Sequence, residues 1–148
     1  AGVDGLIIVD LPYEESEFFY NKLKDIDLDL IRLISPTTPK KTIEKIVKFS
    51  SGFLYYVSFR GVTGAKLSNF KEVQDKVKYI KSKTKIPVVV GFGIKEGEIA
   101  QKMSKISDGV VVGSRLIDII QQKNFRLNDS LKFLEKSLKT FKRDVRKK

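Results

Sequence analysis

Five times along these 148 residues a short apolar run gives way to a segment whose apolar residues recur every three or four positions. No other feature constrains the fold as tightly. The runs are LIIVD (6–10), LDLIRLI (28–34), GFLYYVSF (52–59), IPVVVGFG (86–93) and GVVVGS (109–114). Between them lie EESEFFYNKLKDI (14–26), KTIEKIVKFSS (41–51), FKEVQDKVKYIKSKT (70–84) and KEGEIAQKMSKI (95–106), all at helical spacing. A short helix from Ser114 to about Gln122 and a longer one over 128–148 are predicted to close the chain. The longer one carries Leu131, Leu134, Leu138, Phe141 and Val145 as a core-facing stripe, with Asn128 or Asp129 placed to cap it.

Strands that are apolar on both faces and alternate with helices predict a parallel α/β sheet covered by helices. Two architectures satisfy that pattern. One is the C-terminal five βα units of a (β/α)8 barrel, whose whole needs about 250 residues. The other is a complete five-stranded, doubly wound sheet of flavodoxin type. Either way, residues 1–148 form one domain.

Composition removes several function classes. The chain has no cysteine and no histidine, so it lacks disulfides, thiolate metal sites and the commonest general base. No metal site is expected. No run of about 18 apolar residues is present, and the start AGVDGLIIVD has neither the basic region nor the cleavage site of a secretory signal. A cytoplasmic location without membrane contact is the expectation. The net charge of +11 raises the question of nucleic acid. Lysine is nevertheless spread over every helical segment rather than gathered in a stripe; 128–148 holds eight basic residues against three acids. No zinc-finger spacing or paired aromatic motif is present, so solvated helix faces are expected and nucleic acid is not.

Chemistry in a parallel α/β fold sits at the carboxyl ends of the strands. Read in order, those ends carry Asp10, SPTT, a Gly-Val-Thr-Gly loop, GFG and GS. Gly64, Gly93 and Gly113 each leave a backbone N–H open to close approach by an anion, because no Cβ stands in front of it. Ser114 opens a helix whose first amides lack intrahelical partners and carry partial positive charge. Together these residues make a phosphate cradle that needs no lysine. A barrel often holds phosphate on its last two βα loops beside a short extra helix, which is the arrangement from GFG onward. The doubly wound reading predicts no such pair of glycine ends and no extra helix.

Four stretches carry a resemblance to a known family: VDLPYEES (9–16), SFRGVTGA (58–65), VVVGFGIKEGEIAQ (88–101) and DGVVVGSRLIDII (108–120). They resemble the alpha subunit of tryptophan synthase, in register from Ala1 to the last helix. The Arg-Gly-Val-Thr-Gly-Ala loop is the specific part, since related phosphate-binding barrels share the glycine ends without it. The resemblance implies a (β/α)8 barrel that cleaves indole-3-glycerol phosphate to indole and glyceraldehyde 3-phosphate. It implies no cofactor in this subunit, and a PLP-dependent beta subunit as partner in an alpha2-beta2 assembly. Carried over, Gly64, Gly93, Gly113 and Ser114 hold the substrate phosphate, and Thr63 is the lid threonine that meets a carboxylate when the loop closes. Tyr55 faces the active site and Phe92 packs against the indole.

One departure matters. Aligned this way, Ala1 falls just before the family's fourth strand, and the family's two catalytic carboxylates belong to the region before it. No Glu or Asp here matches their motifs, and Asp10 is expected to be structural or at a subunit interface. The chain is therefore expected to keep the binding half and, alone, to be inactive and prone to self-association. Two other classes remain at this point: a different phosphate-sugar barrel enzyme of amino-acid biosynthesis, which lacks the lid sequence, and a non-enzymatic basic binding module.

Overall fold

The computed structural model describes residues 2–58, 70–91 and 97–114, together with 117, 118 and 121. Strands β1 (Gly5–Ile7), β2 (Asp29–Ile34), β3 (Leu54–Val57), β4 (Val88–Gly91) and β5 (Gly109–Val111) alternate with helices α1 (Ser16–Lys24), α2 (Lys40–Ile46), α3 (Phe70–Lys83) and α4 (Gly97–Ser104). All four strand pairs are parallel and the sheet order is β1-β2-β3-β4-β5.

That order decides between the two architectures. Each connection steps one strand onward in the same direction, and right-handed crossovers then put every helix on one face. A doubly wound sheet needs a reversal of strand order to cover both faces. Among the described strands there is none. The sheet is a run of barrel units.

The core confirms the one-sided cover. Ile34, Leu54, Tyr56, Val88 and Val90 project from the sheet onto Ile43 and Ile46 of α2, Val73, Val77 and Ile80 of α3, and Ala100 and Met103 of α4. Leu30 meets Leu11 and Leu23 in a smaller cluster under α1. Since side chains alternate across a strand, the intervening Leu33, Tyr55, Val57, Val89 and Gly91 face the other way, toward the barrel interior.

Several boundaries differ from the sequence expectation. Strand β1 ends at Ile7, where pairing with Ile31 stops, and Asp10 lies in a turn beyond it. Helix α1 is entered through a 3-10 turn at Tyr13–Glu15, so the regular helix starts at Ser16. Helix α2 gives way to a 3-10 turn, Val47–Phe49. Pro39 stands immediately before Lys40 of α2 as its N-cap, with an extended backbone. Strand β2 is not apolar throughout, because Arg32 is buried within it at 5% exposure. The helix expected over 128–148 lies outside the described residues.

Candidate active face

Tyr55 is half-buried on the interior face of β3, paired directly with Val89 of β4. Its ring crosses Gly91. A Cβ built on Gly91 would come within 2.7 Å of Tyr55 Cζ and 3.0 Å of Cε2, with the hydroxyl closer still. Real Cβ atoms do not approach other atoms so closely, so a glycine at 91 is what lets this tyrosine lie flat against β4. The Gly91 carbonyl accepts both the Ser58 amide and the Ser58 hydroxyl at 3.1 Å, which pins the carboxyl ends of β3 and β4 together. Burial raises the Tyr55 pKa above its usual value, so the phenol is neutral near pH 7 and available to donate a hydrogen bond.

At the carboxyl end of β5 the Gly113 carbonyl accepts the Ile117 amide at 3.2 Å, an i to i+4 bond that opens a helical turn at Gly113–Ser114. Both residues are exposed. A Cβ on Gly113 would meet nothing within 4 Å among the described residues, and its φ is not left-handed. Neither crowding nor backbone strain therefore calls for glycine here. What glycine leaves at this place is open space in front of a helix N-terminus, where unpaired amides favour an anion.

Gly64 and Thr63, in the loop after β3, and Phe92 and Gly93, after β4, lie outside the described residues. Of the site residues singled out from the sequence, Tyr55, Gly113 and Ser114 can be placed: Tyr55 lies within β3, Gly113 and Ser114 follow β5, and β4 stands between them. Gly91, the first glycine of GFG, is a site residue that the sequence pattern alone does not single out.

A cavity of about 770 Å³ is found elsewhere. It lies on the helix side between α2 and α3, lined by Thr37, Lys40, Tyr56, Ser58, Lys76 and Tyr79 among others. Lys76 donates to the Thr38 carbonyl there at 2.6 Å, and burial, then Lys40, lowers its pKa. The cavity opens between helices, whereas barrel chemistry is built on the βα loops around the mouth of the barrel. Among the described residues no group of three His, Cys, Asp or Glu could hold a metal ion, and no helix is long and apolar enough to cross a membrane.

Comparison with known proteins settles the family. A family model described as tryptophan synthase alpha chain matches residues 1–146. The chain belongs to the tryptophan synthase alpha chain family. It is 47% identical over 121 residues to the tryptophan synthase alpha chain of Janthinobacterium sp. (strain Marseille), covering 82% of this chain and 46% of that one. With the alpha chain of Methanocaldococcus jannaschii the identity is 41% over 136 residues, covering 90% and 48%. Among solved structures, tryptophan synthase subunit alpha from Campylobacter jejuni is similar with a TM-score of 0.73 at 38% identity, covering 81% of this chain and 48% of that one. A mutant alpha-subunit from Pyrococcus furiosus gives 0.78 at 30% identity, covering 95% and 55%. These neighbours are (β/α)8 barrels, in agreement with the one-directional strand order. The chain spans about half the length of the curated relatives it matches.

Proposed function

We propose that, in the complete protein, this chain supplies the phosphate-binding half of a lyase that cleaves indole-3-glycerol phosphate to indole and glyceraldehyde 3-phosphate in tryptophan biosynthesis. The observation that carries this reading is the open helix start at Gly113–Ser114, at the carboxyl end of β5, in a chain of this family. The amides of Gly113 and Ser114, joined by those of Gly64 and Gly93, receive the phosphate. Tyr55, neutral and lying on Gly91, borders the reacting part of the substrate, with Phe92 against the indole and Thr63 in the lid. Cleavage requires proton transfer to the indole ring and from the glycerol hydroxyl. The acid and base for it are the family's glutamate and aspartate, contributed by units that precede the stretch described by this sequence. The subunit itself uses no cofactor; pyridoxal phosphate belongs to a beta subunit that takes up the indole. A structure of the Pyrococcus furiosus relative concerns an a2b2 complex, which supports the same assembly here. The compartment that fits this chemistry is the cytoplasm.

The test compares the 148-residue chain with the full-length protein in an indole-release assay on indole-3-glycerol phosphate. The full-length protein is expected to release indole, and the 148-residue chain to release none. Turnover by the 148-residue chain alone would overturn the assignment of the acid and base to preceding units. No turnover by the full-length protein, with or without a beta subunit, would overturn the reaction.

A further inference from the structure

Arg32 is the one buried charge in the described core. It stands in β2 between Leu30 and Ile34, on the face turned to the helices, and is 5% exposed. Its Nη2 donates to the Leu11 carbonyl at 2.6 Å, while Nε and Nη1 are buried with no hydrogen-bond partner among the described residues. A guanidinium has five N–H donors, and burying it against one neutral acceptor is costly. A hydrophobic side chain of similar volume would be expected to stabilise the fold. Retaining arginine here therefore needs a reason other than stability, and the Leu11 carbonyl indicates one.

Leu11 belongs to the turn at the carboxyl end of β1, the end at which barrels of this kind do their chemistry. The turn is held at several points. The Leu11 amide donates to Ile8 O at 3.5 Å, and Pro12 O accepts the Ser16 hydroxyl at 3.1 Å and the Glu15 amide at 3.3 Å. Lys45 lies 4.6 Å from the centre of the Tyr13 ring and donates to its hydroxyl at 3.3 Å. Arg32 is the only strand residue among these anchors. Its pull on the Leu11 carbonyl goes with an inward Leu11, 8% exposed, and an outward Val9, 70% exposed, beside exposed Asp10. We propose that Arg32 is a positioning residue, which holds the Leu11 carbonyl so that the Val9–Asp10 step is presented at the active face in one conformation. It acts through the turn and touches no reacting atom. The idea rests on the lyase reading for its kinetic consequence, but not for its structural one.

The test uses the full-length protein carrying Arg32→Met, close to arginine in volume, and Arg32→Lys, which keeps the charge and one donor within reach of Leu11. Arg32→Met is expected to melt no lower than wild type yet to lose about tenfold in kcat with KM little changed. Arg32→Lys is expected to recover part of that loss. Hydrogen exchange of the amides at 9–13 should rise at least tenfold in Arg32→Met and less in Arg32→Lys. Parallel losses of melting temperature and activity would overturn the proposal in favour of a purely structural arginine. Unchanged kinetics and exchange in both variants would overturn it outright. If Arg32→Met fails to fold, wild-type kcat and exchange in Arg32→Lys would do the same. A wild-type protein that releases no indole would overturn the lyase reading instead, and the exchange at 9–13 would still decide the role of Arg32.

Discussion

The ring of Tyr55 rests on Gly91, a residue of the neighbouring strand that has no side chain to hold it off. A methyl group at 91 would collide with the hydroxyl and the outer ring edge of Tyr55. Gly91→Ala is expected to turn Tyr55 out of its present rotamer and to cost about 1–3 kcal/mol, the usual range for overpacking a well-filled site. In the full-length protein kcat/KM for indole-3-glycerol phosphate should fall at least tenfold. Chemical denaturation and steady-state kinetics check both, and wild-type values would mean the ring can move without consequence.

Gly113 makes the contrasting case. A Cβ there meets nothing within 4 Å among the described residues, so Gly113→Ala should leave the melting temperature within a few degrees of wild type. If the amides of this helix start receive a phosphate, the same methyl group stands where the anion must come. The expected result is a KM raised about tenfold or more with kcat largely kept. Inorganic phosphate as a competitive inhibitor should weaken in parallel.

Asp108 ties the turn after α4 to two elements. Its carboxylate accepts the Val88 amide at 2.9 Å and pairs with Lys81. Desolvation pushes its pKa up, but the Lys81 hydrogen bond, the Val88 amide and the Lys81 charge outweigh that and leave it below the ordinary carboxylate value. A depressed folded pKa means that stability is present above the unfolded value of about 4 and is lost as pH falls through the folded one. Asp108→Asn keeps an acceptor for Val88 and loses the charge. Because the pair is well exposed and screened, wild type should exceed the variant by no more than about 1 kcal/mol at pH 7. The difference should shrink toward pH 3 and in 1 M salt. A gap that stays constant with pH would show that geometry, not charge, matters at this position.

Strands β1 and β5 are the edges of the described sheet, and Leu6, Ile7 and Val9 are substantially exposed at the β1 end. Unpaired parallel edges beside apolar surface favour association. Sedimentation of the isolated 148-residue chain should therefore show dimers or larger species at micromolar concentration. A stable, compact monomer would contradict this.

The sheet class could be read from the sequence because VVV, LYYV and LIRLI are short, apolar and bounded by breakers, while FKEVQDKVKYIKSK places Val73, Val77 and Ile80 on one helical face. Strand order could not, since period alone leaves the direction of each crossover open. Nor could the end of β1: LIIVD is continuous in hydrophobicity, but pairing stops where Ile31 no longer finds a partner beyond Ile7. The helix start at Gly113–Ser114 was visible as a change of period after VVVG. Arg32 reads in the sequence as one polar residue in an apolar run, because its partner, the Leu11 carbonyl, is 21 positions away and carries no side-chain signal. Gly91 was hidden for a similar reason. Its need for glycine comes from Tyr55 on another strand.

The strict strand order also bears on how the chain reaches its native state. Paired residues on adjacent strands are separated by 20 positions between Val89 and Gly109 and by 34 between Leu54 and Val88, and no described strand waits for a distant one. Loop-closure entropy is thus spread over several modest steps instead of one large one. Each finished βα unit offers the next a template of hydrogen bonds and apolar surface, so assembly can spread from unit to unit much as it does along a repeat protein.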